Sequence, residues 1–131
     1  MCFYQCPAHP AILGATIRPS QPTNVVPQAA MVVVRNVFQL QFGKAKEAVA
    51  LMKEGLAIQK RAITDVEFST RMLTDVTGPF YTLVLELSVP SLSTFESYAP
   101  KLFGNKEWQA NYQKVGELVE SGYREIFTVV E

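Results

Sequence analysis

Residues 66–89 read VEFSTRMLTDVTGPFYTLVLELSV, two β-prone runs joined at Gly78-Pro79. A turn centred on that dipeptide predicts an antiparallel hairpin. One face of the ladder then carries Phe68 opposite Val89, Thr70 opposite Leu87, Met72 opposite Leu85 and Val76 opposite Tyr81, and is almost wholly apolar. The other carries Ser69 opposite Ser88, Arg71 opposite Glu86, Leu73 opposite Val84 and Asp75 opposite Thr82. A slip of one residue would turn every side chain over, so the clean sorting selects this register. Pro79 constrains the turn and leaves room for a longer loop with a bulge.

Upstream, residues 31–42 alternate in the same way. Val32, Val34, Phe38, Leu40 and Phe42 share one side, and Val33, Arg35, Val37, Gln39 and Gln41 the other. After Gly43, residues 44–62 shift to helical spacing, with Ala45, Ala48, Val49, Met52, Leu56 and Ile63 on one stripe. Lys60 and Arg61 sit where the helix dipole favours a cation.

Downstream of the hairpin, Ser91 or Ser93 starts a second helical region, and Ser93 with Glu96 fits the capping-box spacing. Leu92, Phe95, Tyr98, Leu102 and Phe103 form its stripe, interrupted at Pro100 and Gly104. Asn105 caps a further helix to about Ser121, with Trp108, Tyr112, Val115 and Val119 on one face. Gly122 reads as its stop, and residues 124–130 as a last strand.

Strand, helix, strand, strand, helix, strand is a split βαβ repeat. It predicts an α+β, ferredoxin-like βαββαβ fold with a four-stranded antiparallel sheet and the helices on one face. The domain occupies residues 31–131. Residues 1–30 carry Pro7, Pro10, Pro19, Pro22 and Pro27 with no periodic pattern, and are expected to be a disordered or non-native leader.

Bulk composition excludes several functions. Twelve basic and twelve acidic residues balance, so no general field attracts nucleic acid or an anionic membrane. No apolar run approaches the ~20 residues of a membrane span, and the leader lacks the pattern of a secretory signal. A cytoplasmic location is expected. Cys2 and Cys6 both fall in the leader, which rules out a disulfide framework for the domain. With His9 they make too few ligands for a closed metal site. No metal and no cofactor are expected.

With the helices over the apolar face, the other sheet face carries Val33, Val37, Leu73, Val84, Phe127 and Val129 among Arg35, Gln39, Arg71, Glu86 and Ser69. That is too apolar to face water as a contiguous patch and too polar for a dry core. A second copy laid sheet to sheet would cover it and enclose a partly polar cavity.

The element order, Ser91-Leu92-Ser93-Thr94-Phe95-Glu96, Asn105-Lys106-Glu107-Trp108-Gln109 and Ser121-Gly122-Tyr123-Arg124-Glu125-Ile126 together resemble the dimeric α+β barrel superfamily. The nearest branch is the NIPSNAP-like one. Where that branch has Glu, Arg and Tyr along its first strand, this chain has Val34, Asn36 and Phe38. The resemblance implies a homodimer. It also implies kinship in fold with cofactor-independent monooxygenases, haem-degrading enzymes, polyketide cyclases and small proteins of unassigned activity.

The only histidine is His9, in the leader. The domain therefore offers no histidine as haem ligand, general base or triad member. Arg71 and Glu86, with Gln39 and Arg35 beside them, are the candidate ligand-binding residues, able to hold a carboxylate or phenolate or to tune a carboxylate base. A structural cross-strand ion pair is the competing reading. Trp108 and Tyr112, one helical turn apart, are either core packing or a stacking wall for an aromatic substrate, with Asn36 to orient oxygen. The reading from sequence is a homodimer that binds a small, largely apolar molecule in its barrel. Alternatively it is a cofactor-independent monooxygenase or isomerase of an aromatic or polyketide-like substrate, or a subunit whose barrel its own side chains fill.

Overall fold

The computed structural model describes residues 31–130, so the leader and its Cys2, Cys6 and His9 lie outside the described residues. The elements are β1 (Val32–Leu40), α1 (Ala45–Ala62), β2 (Ser69–Thr74), β3 (Thr82–Val89), α2 (Leu92–Phe103), α3 (Lys106–Gly116) and β4 (Val119–Thr128). The strands form one antiparallel sheet in the order β2-β3-β1-β4. This is the expected ferredoxin-like α+β arrangement. Among the described residues no helix is long and apolar enough to cross a membrane.

The hairpin has the register its alternation predicts, from Ser69 opposite Ser88 to Thr74 opposite Leu83. It closes earlier than expected. Val76 does not pair with Tyr81 and is 96% exposed. Asp75 ends the ladder: its backbone N–H donates to the Thr82 carbonyl, and its carboxylate accepts from the Thr82 N–H at 3.0 Å. The chain then turns through Gly78 and Tyr81, both at positive φ, which a regular strand does not allow.

Val32, Val34, Leu87 and Val89 pack under Tyr98, Leu102 and Ile63. Leu40 and Leu83 pack with Ala48, Met52, Val115 and Leu118. Phe42, expected on this face, is 78% exposed because β1 ends at Leu40 and Gly43 turns the chain. Ser91, not Ser93, caps α2, accepting from the Thr94 N–H at 3.1 Å. Pro100 does not break α2, because it sits on the exposed side, where a missing N–H leaves no buried carbonyl unpaired.

Asn105 caps α3 as expected, accepting from the Trp108 N–H at 2.9 Å. The helix stops at Gly116, earlier than expected, and Gly122 lies within β4. The reason for a glycine there is a close approach: a Cβ would sit 3.1 Å from the Val37 carbonyl oxygen and 3.2 Å from the Phe38 ring. An irregularity between Gln39 and Leu40 shifts the β1–β4 register near this end.

Helices α1 and α3 meet at Gly55, where an added Cβ would come within 2.6 Å of Asn111 Oδ1. Asn111 is buried, and its amide donates to the Leu51 carbonyl at 3.1 Å. Gly55→Ala would gain about 1 kcal/mol of helix propensity but force that amide from its partner, at a cost of roughly 1–3 kcal/mol. Urea unfolding is expected to show Gly55→Ala no more stable than wild type, and Gly55→Ala/Asn111→Ala to recover part of any loss.

Candidate functional site

The two faces of the sheet carry different chemistry. Between the sheet and the helices lies a pocket of about 70 Å³, room for several waters. It is smaller than the ~300 Å³ at which drug-sized ligand sites begin. Phe103 and Tyr112, 44% and 43% exposed, stand at its mouth. Trp108 stacks on Tyr112 with ring centres 4.7 Å apart and planes 13° apart, and Phe103 leans on Trp108 at 5.5 Å. Together they form an aromatic wall.

Facing that wall are a few polar groups. Strand parity turns Asn36 toward the helices, and the β1–β4 register sets Arg124 opposite it. Arg124 Nε donates to Asn36 Oδ1 at 2.7 Å, and the guanidinium lies 5.9 Å from the centre of the Phe95 ring. Gln59 and Tyr98 also line the pocket, 4% and 3% exposed. Neither side chain makes a hydrogen bond to any described residue. Burial pushes the Tyr98 phenol well above its ordinary pKa, because the phenolate would lose its water.

On the open face the structure brings together three of the residues singled out from sequence. Arg71 donates through Nε at 2.9 Å and Nη2 at 2.5 Å to Glu86 Oε2. Arg35 Nε lies 3.3 Å from Glu86 Oε1, close enough for charge pairing but without hydrogen-bond alignment. The Glu86 side chain is only 12% exposed between the two guanidiniums. Gln39 stands apart: its amide donates to the Phe80 carbonyl at 2.5 Å and anchors the hairpin loop. Two surface grooves run over this face, one of about 620 Å³ beside Arg71 and Glu86 and one of about 490 Å³ beside Arg35 and Gln39. Among the described residues no group of three His, Cys, Asp or Glu could hold a metal.

Several solved structures share this fold. A NIPSNAP family protein from Agrobacterium tumefaciens superposes with a TM-score of 0.67 at 24% identity, covering 77% of this chain and 87% of its own. The chain has the NIPSNAP-like α+β fold. A NIPSNAP-like domain protein from Burkholderia xenovorans gives a TM-score of 0.68 at 20% identity over 78% of this chain and 87% of its own. SnoaB, a cofactor-independent oxygenase from Streptomyces nogalater, gives 0.58 at 14% identity over 79% and 96%. No protein-family model and no curated protein matches the sequence.

Among the pocket's polar groups, Gln59, Tyr98, Asn111 and Arg124 carry no strong sequence signal. Gln59 follows Met52, Gly55 and Leu56 at helical spacing on α1, and a lone amide in an apolar stripe is the clue it leaves. Arg124 becomes visible only once β4 is paired with β1.

The raised Tyr98 pKa has a consequence for stability. The folded chain holds this proton more tightly than the unfolded one. The contribution is therefore complete below the ordinary value of 10.0 and is lost as pH rises above it. Urea midpoints taken at pH 9 and pH 11 are expected to fall more for wild type than for Tyr98→Phe, which keeps the ring and removes the titration.

Proposed function

We propose that this protein is a homodimer joined through its open sheet faces, in which each subunit binds a small, flat, largely apolar molecule between sheet and helices. The observation carrying the ligand reading is the aromatic wall of Phe103, Trp108 and Tyr112 in a pocket that the polar side chains of Gln59, Tyr98 and Arg124 also line. An amide and a phenol on the wall of a pocket with three aromatic rings support a site shaped for something polar at one end and flat at the other. Entry requires the half-exposed Phe103 and Tyr112 side chains to swing outward and the pocket waters to leave.

The dimer reading rests on the open face. Tyr123 and Phe127 are 60% and 48% exposed there, next to Val33 and Val37. Around them the Arg35–Glu86–Arg71 cluster supplies charges that are already paired. Glu125, opposite Arg35 on the same face, makes no ion pair among the described residues, so a second copy that covers the apolar area must leave it water or bring it a donor. In this reading Arg71, Glu86, Gln39 and Arg35 order the face between the two sheets, and any ligand there would meet Arg71, the most exposed of the ion cluster.

A second reading adds turnover. The likeness to SnoaB, a cofactor-independent oxygenase, is one of fold. The specific feature in favour is Asn36, whose carbonyl oxygen is fixed by Arg124, leaving its amide hydrogens to donate to a substrate or to oxygen.

Light scattering at micromolar concentration is expected to give about twice the 14.6 kDa chain mass. Phe127→Asp, at a half-exposed position, should leave a folded monomer; a wild-type monomer would refute the dimer. Trp108 is the single tryptophan and reports on the pocket directly. A hydroxynaphthoquinone is expected to quench its emission saturably, and Tyr112→Ala to weaken binding several-fold. Oxygen uptake with the same compound separates turnover from binding alone.

A further inference from the structure

The described residues contain four arginines, and three of them meet a carboxylate. Arg35 and Arg71 flank Glu86, and Arg61 meets Glu107 at 3.1 Å. Arg124 meets none within ion-pair distance. It is also the only charged side chain lining the helix-side pocket, which holds no acid and no second base among the described residues. The chain as a whole is neutral, so this positive end is a local feature.

Its surroundings hold it in one orientation. The Nε–H is taken by Asn36 Oδ1 at 2.7 Å, and the guanidinium sits by the Phe95 ring at 5.9 Å. The bond through Nε leaves the two terminal nitrogens, whose parallel N–H groups match the two oxygens of a carboxylate. The Gln59 amide lines the same pocket.

We propose that the ligand of this pocket is an aromatic or conjugated carboxylic acid, its carboxylate held by Arg124 and its ring against Phe103, Trp108 and Tyr112. This rests on the reading that the helix-side pocket binds a flat molecule, and adds the charge it must carry. A neutral ring of the same shape would leave the guanidinium without a counter-charge. An ionised acid supplies that charge through a charge-assisted, two-point pair.

The test uses the full-length protein and matched probes, trans-cinnamate and cinnamamide, which share a flat skeleton and differ in charge. The Trp108 indole N–H gives a single NMR cross-peak to follow. Wild type is expected to bind cinnamate at least about tenfold more tightly than cinnamamide, the usual scale of a charge-assisted pair. Arg124→Gln should bring the two affinities together by weakening cinnamate alone. Because Arg124 is exposed, its backbone amide spectrum is expected to stay that of a folded chain. Equal affinities in wild type would overturn the carboxylate while leaving the flat-ligand site standing. Binding of neither probe, with the indole peak unmoved, would overturn both. The comparison within wild type decides even if the variant does not fold.

Discussion

The pairing of β1 with both β3 and β4 is the constraint from which the two faces follow. Val34 lies between Leu87 and Ile126, and Arg35 between Glu86 and Glu125. Each step along β1 alternates between a side covered by helices and a side left open. Displacing the strand by one residue would move Arg35 under the helices and Val34 out of the core, exchanging a buried charge for an exposed methyl pair. Packing and electrostatics therefore favour the same register.

Polar groups are sorted by the same rule. On the open side most charges are in contact: two guanidiniums share the Glu86 carboxylate, Glu125 lies opposite Arg35, and the Gln39 amide is committed to the hairpin loop. On the helix side one guanidinium without a carboxylate partner, a buried amide and a buried phenol line a pocket with an aromatic wall. A face of apolar residues around a charge cluster suits contact with another protein surface. Such a set beside a small pocket suits a ligand that engages it. The larger grooves on the open side are spaces that a second sheet would roof.

Much of this was readable in the residues. The hairpin register and the membership of each sheet face came from period-two alternation, which is unambiguous where Thr70, Met72, Leu85 and Leu87 oppose Ser69, Arg71, Glu86 and Ser88. The end of α3 was not readable. Trp108, Tyr112, Val115 and Val119 keep helical spacing across the real break at Gly116, so periodicity runs on into the strand. Gly122 looked like a helix stop because the contact that requires it, with Val37 and Phe38, is distant in sequence. The charged cluster drew attention to the open face because Arg71 and Glu86 are near in sequence. The helix-side site draws on all three helices and all four strands, and only the assembled fold brings Gln59, Tyr98 and Arg124 together.

The division of labour between the faces is tested most directly by isotope-filtered NMR on a mixture of labelled and unlabelled chains. The account predicts intermolecular contacts from the methyl groups of Val33, Val37 and Val84 on the open face, and none from the outer surfaces of α2 and α3. Contacts confined to the helices, or no intermolecular signal at all, would contradict it.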